Sequence, residues 1–74
     1  DLRKQIQDSF DEATDNGNFA IVLLEQKEFT KAAFYAQRAR SLFQSISITD
    51  RVEKMTRLID KIQEKSKVFT NSQH

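Results

Sequence analysis

The sequence predicts an all-α fold: an antiparallel, up-down-up bundle of three helices, equivalently a helical hairpin carrying a third, capping helix. Three observations predict it. Apolar residues recur at steps of three and four along three successive stretches, the spacing of one helical face. The chain has no proline and a single glycine, Gly17, so the residues that most often interrupt helices are almost absent. Only a few residues separate one stretch from the next, and short links favour antiparallel neighbours.

The first helix is expected over residues 2–26. Leu2, Ile6, Phe10, Ala13, Gly17, Ala20 and Leu24 form its stripe. The stripe crosses the weak helix formers Asp15, Asn16, Gly17 and Asn18, and two readings follow. A break near Thr14, with Thr14 capping a new helix, accounts for the poor formers. One continuous helix accounts for the unbroken register and is preferred, with Gly17 admitting a close neighbour. Phe19, Val22 and Leu23 lie off this stripe and make the helix's second half apolar nearly all round. A third helix would cover them in a closed bundle, whereas a truncated repeat array would leave them exposed.

The second helix is expected over residues 30–46, with Thr30 as its cap. Phe29, Ala32, Ala36, Ala39, Phe43 and Ile46 share its main face, and the three alanines allow a neighbour to pack closely. Tyr35 and Leu42 widen that face, while Phe34 points nearly the opposite way. The third helix is expected over residues 50–69. Ser47, Thr49 and Asp50 are capping candidates, and Asp50 with Glu53 has capping-box spacing. Val52, Met55, Ile59, Ile62, Ser66 and Phe69 form a single stripe, widened by Leu58, on an otherwise charged helix. Glu53 with Arg57, and Lys61 with Glu64, are spaced as exposed ion pairs. Residues 71–74 are expected to fray, so residues 1–70 form one domain. The abrupt start at Asp1 suits a piece of a larger protein.

Composition excludes most chemistry. The only histidine is the terminal His74, and there is no cysteine. The serines therefore lack a base to activate them, and thiolate nucleophiles and soft metal ligands are missing. Gly17 stands alone, so there is no glycine-rich phosphate loop. Asp8, Asp11 and Glu12 read as a solvated face rather than a catalytic carboxylate pair. Asp11, Asp15 and Gly17 do not fit calcium-loop spacing. No catalytic residue, cofactor or metal is expected, and the chain is read as a non-enzyme. A net charge of +1, with acids interspersed among the bases, argues against nucleic acid. No apolar run approaches the ~20 residues that span a bilayer, so no membrane insertion is expected. A cysteine-free chain without a signal peptide suits an intracellular, cytoplasmic setting.

The stretch from Asn18 to Leu42 resembles a tetratricopeptide repeat. Ala20 stands at the small residue of that family's first helix and Leu23 at a large one. Phe29-Thr30-Lys31-Ala32 matches its aromatic-x-x-alanine step, and Ala32, Ala36 and Ala39 match the small positions of its second helix. Asn16 replaces the expected aromatic and Gln44 the closing proline. The resemblance covers about a third of the chain and implies a non-catalytic module that binds a protein or peptide, with the third segment as the capping helix. The same aromatic-x-x-alanine step, with the striped third helix around Leu58-Ile59-Asp60-Lys61-Ile62, is also similar to the microtubule-interacting and transport domain. That family implies binding of amphipathic tails of membrane-remodelling proteins. A purely structural cap or self-association bundle is the remaining alternative.

The two families imply different surfaces. The repeat family implies the inner face of the first helix, here Gly17, Asn18, Ile21, Leu24 and Glu25. The basic-plus-asparagine clamp for a terminal carboxylate is missing, because Gly17 and Ile21 occupy its positions. The transport domain implies a peptide lying between the second and third helices, beside Phe34, Arg38, Leu42, Leu58 and Lys61. Phe34, a large apolar residue opposite the alanine face, with Leu42 to extend the contact and Arg38 between them to pair with an acidic residue, makes this second surface the preferred partner-binding site.

Overall fold

The computed structural model describes residues 1–72, and 90% of these are helical. Helix α1 spans Leu2–Glu25, α2 spans Phe29–Ser45 and α3 spans Thr49–Ser72. No strand occurs among the described residues. Helix α3 thus runs beyond residue 69 and through Asn71, where fraying was expected. Gln73 and His74, the rest of that expected tail, lie outside the described residues.

Helix α1 is continuous through Gly17, which is buried. The register therefore overrides the poor formers at 15–18. At its start the Asp1 carboxylate accepts a hydrogen bond from the Lys4 amide at 2.9 Å, a cap not anticipated from the sequence. Thr30 does not cap α2. The helix begins at Phe29, with Glu28 in the cap position and no side-chain bond. The Ala32 amide already donates to the Glu28 carbonyl at 2.9 Å, which leaves Thr30 inside the first turn. Asp50 likewise lies inside the first turn of α3, where its charge meets the positive end of the helix.

Both connections use one device. After α1, Lys27 takes a positive φ of 64°. Its amide donates to the Leu24 carbonyl at 3.0 Å, and the Glu28 amide donates to that of Leu23 at 2.9 Å. After α2, Ser47 has φ 60°; its amide donates to the Gln44 carbonyl at 3.1 Å, and that of Ile48 to Phe43 at 3.0 Å. This is the left-handed helix stop, formed here without glycine. It reverses the chain in three residues and makes α1 antiparallel to α2, and α2 to α3.

Helix α2 is the central element, packed against α1 on one side and α3 on the other. The core falls into two clusters. One holds Ala20, Leu23, Ala32, Ala36, Ile59 and Ile62; the other holds Ala13, Ala39, Phe43 and Met55. The alanines are fully buried, as their role in close helix approach requires. Phe10, Leu24 and Phe29 pack against the clusters from a half-buried position. Ile6, expected in the core, is 43% exposed. The reason is length. At 1.5 Å per residue, the 17 residues of α2 span about 25 Å and the 24 of α1 about 36 Å, so the first turns of α1 overhang α2. Helix α3 overhangs at the opposite end. The result is an elongated body of 53 × 19 × 12 Å, with a radius of gyration of 13.6 Å against about 11 Å for a compact chain of this length.

Leu23 was expected off the main face and is instead buried beside Ala32 and Ala36. Phe19 and Val22 remain about half exposed. Helix α3 does not cover them, because it packs on the other flank of α2.

Candidate protein-binding groove

Helices α1 and α3 run parallel on either side of α2 and meet each other over little of their length. Their close approach is at the end where α3 begins. There a Cβ built on Gly17 would stand 3.3 Å from Met55 Sδ and 3.9 Å from the Ala39 Cβ. Nearby, the Arg51 guanidinium lies 5.8 Å from the centre of the Phe10 ring. From this closed end the space between the two helices opens into a groove of about 760 Å³. Ile21, Leu24 and Glu25 of α1 form one wall, and Lys61, Glu64, Lys65, Val68 and Phe69 of α3 form the other. Lys27 and Phe29 close the far end. The Phe29 and Phe69 rings meet at 5.5 Å, and Lys27 Nζ lies 5.7 Å over the Phe69 ring.

The groove combines an apolar lining with a charged rim, the usual composition of a recognition cleft. Ile21 is 41% exposed, so apolar surface is available to a ligand. Three lysines against two glutamates give the rim a slight positive excess. Among the described residues no cluster of His, Cys, Asp and Glu could hold a metal ion. No helix among them is long and apolar enough to cross a membrane.

The five residues of the preferred sequence surface do not share one cleft. Arg38 faces α1, pairing with Glu12 at 3.9 Å. Phe34 is 57% exposed and meets the Tyr35 ring edge-on at 5.1 Å; Tyr35 in turn meets Phe19 of α1 at 4.7 Å. Leu42 is half-buried against the cluster of Phe43 and Ala39. The row Phe34–Arg38–Leu42 therefore follows the α1 side of α2. Leu58 packs against both core clusters, and Lys61 lines the α1–α3 groove. Between α2 and α3 lies a smaller hollow of about 430 Å³, lined by Phe29, Thr30, Ala33, Ile62, Gln63, Ser66 and Lys67.

Ile21, Leu24 and Glu25, named from the sequence as the inner face of the first helix, do line the groove. Lys27, Glu64, Lys65 and Val68 were missed. The signal for them was the difference in helix length, which puts the end of α3 beyond the cover of α2. The expected ion pairs Glu53–Arg57 and Lys61–Glu64 do not form. Among the described residues the pairs within 4 Å are Lys31–Glu28 and Arg38–Glu12, both exposed and worth little. Comparison with known protein families, with curated proteins and with solved structures finds no match.

Proposed function

We propose that this chain is a non-catalytic protein-interaction module whose α1–α3 groove seats an amphipathic peptide or helix with acidic flanks. The observation that carries the reading is the groove itself. It is open, apolar within, rimmed by Lys27, Lys61 and Lys65, and of a size suited to a few anchoring side chains. Such a ligand would bury its apolar face against Ile21 and Leu24 and set its carboxylates beside the lysines.

The tetratricopeptide-like reading gains support from two features. The alanines that carry the resemblance are buried in the hairpin, and the groove lies along the inner face of α1 that the resemblance implies. The transport-domain reading would place a peptide in the hollow between α2 and α3, which is smaller, about 430 Å³ against 760 Å³.

A panel of synthetic amphipathic peptides, titrated against the labelled chain by NMR, tests the proposal. Amide shifts should concentrate at Ile21, Leu24, Lys61 and Lys65. Exchanging Lys61 and Lys65 for glutamate should weaken an acidic-flanked peptide by about tenfold or more. Shifts concentrated at Ala33, Gln63 and Lys67 would transfer the site to the α2–α3 hollow. Binding that survives Ile21→Asp unchanged would reject the groove.

A further inference from the structure

The α1–α2 hairpin carries a second apolar surface, on the side away from α3. Phe19 and Tyr35 meet edge-on at 4.7 Å, and Tyr35 and Phe34 at 5.1 Å, so three rings run in contact across the two helices. Phe34 is 57%, Phe19 46% and Val22 45% exposed. Phe34 and Phe19 therefore keep about half of their surface in solvent on either side of Tyr35, which is partly buried against the core.

Charge is divided between the two helices as wholes, and Glu12 and Asp15 of α1 and Lys31 and Arg38 of α2 are the charges on the stripes beside these rings. Between Gln5 and Gln26, α1 carries Asp8, Asp11, Glu12, Asp15 and Glu25 and no base. From Phe29 to Ser45, α2 carries Lys31, Arg38 and Arg40 and no acid. Glu12, Asp15, Phe19 and Val22 follow one another at steps of three and four, hence along one stripe of α1. Lys31, Phe34 and Arg38 do the same on α2. The stripes are also level with each other. Glu12 stands beside Arg38, and Phe19 beside Tyr35.

We infer that this face is a homodimer interface, occupied by the same face of a second copy. A two-fold axis parallel to the helices lays α1 of each copy over α2 of the other at the same height. Phe19 and Val22 then cover Phe34 of the partner copy, and Glu12 and Asp15 meet its Arg38. The contact is made twice, with opposite charges facing in both halves. A two-fold axis across the helices would instead set the acidic helix on itself. The strip is small beside the roughly 800 Å² per partner of a stable complex, so the dimer is weak, with a dissociation constant on the order of 0.1 mM. This inference rests on the hairpin's outer face alone and is independent of the groove.

Sedimentation equilibrium of the chain from about 10 μM to about 1 mM tests it. A monomer–dimer equilibrium is expected, with no larger species, and salt should weaken it. Phe34→Glu and Val22→Lys should each weaken the dimer by about tenfold or more, with the circular dichroism unchanged because both side chains lie outside the buried core and are about half exposed. A charge reversal with its rescue, and a control in the groove, separate loss of the interface from loss of the fold. Arg38→Glu should weaken association, and adding Glu12→Lys and Asp15→Lys should restore it. Ile21→Asp, in the groove, should leave it intact. A monomer at every concentration, open-ended oligomers, or a dimer indifferent to both Phe34→Glu and Val22→Lys would each overturn the proposal.

Discussion

Gly17 of α1 faces Met55 of α3 so closely that a Cβ at Gly17 would stand 3.3 Å from the Met55 sulfur and 3.4 Å from its methyl carbon. These atoms are the far end of a flexible side chain, which yields by a few tenths of an ångström more readily than backbone does. Alanine also improves an interior helix position by about 0.5–1 kcal/mol over glycine. Gly17→Ala should therefore raise the melting temperature slightly. Gly17→Leu should lower it, by forcing α1 from Met55 and Ala39 at about 1–3 kcal/mol. Thermal denaturation of the two variants reads both signs, and a destabilised alanine variant would mean that Met55 cannot move.

Ala36 is fully buried in the cluster with Ala20, Leu23, Ile59 and Ile62, between both of its neighbours. A larger side chain has nowhere to go without parting the helices. Ala36→Leu should cost about 1–3 kcal/mol, measurable as a lower urea midpoint. An unchanged midpoint would show that the packing around Ala36 is loose.

Most of the fold was legible because local spacing and packing agree in the overlapping part of the three helices. Ala20, Ala32, Ala36, Ala39, Phe43, Met55, Ile59 and Ile62 were expected in the core and are buried there. The site was less legible. Periodicity says which residues share a face, but not which neighbour that face meets. Phe34 and Arg38 do share a stripe with Leu42. That stripe runs along α1, because α3 packs on the flank of Phe29 and Ala33. Periodicity is also silent about where a neighbour ends, and so about the overhangs that leave Ile6 bare and open the groove near Val68.

Ile6 and Phe43 make that distinction measurable. Both occupy apolar stripes, yet Ile6 is 43% exposed and Phe43 is 2% exposed, with its ring edge-on to Phe10 at 5.7 Å. Ile6→Gln should change stability by no more than about 0.5 kcal/mol. Phe43→Ala should cost about 3–5 kcal/mol, enough to unfold much of so small a domain at room temperature. A large loss from Ile6→Gln would indicate that the first turns of α1 are covered in solution.

The two left-handed residues at the helix stops offer the last test. Lys27 and Ser47 hold φ values of 64° and 60°, a region where a side chain's Cβ crowds the following carbonyl at about 1–2 kcal/mol. Glycine escapes that crowding, although it gives up more freedom on folding. The net gain expected from Ser47→Gly is about 0.5–1 kcal/mol, and each kcal/mol is worth about 4–8 °C in a domain of this size. Lys27→Gly should gain less, because it also removes the ammonium 5.7 Å over the Phe69 ring. Ser47→Val reverses the sign, since a β-branched residue is least tolerant of positive φ. Melting curves of the three variants should therefore rank Ser47→Gly above Lys27→Gly, with Ser47→Val lowest. A Ser47→Gly variant that melts below the parent chain would mean that the second turn does not hold its left-handed form, and with it the antiparallel placement of α3 on α2.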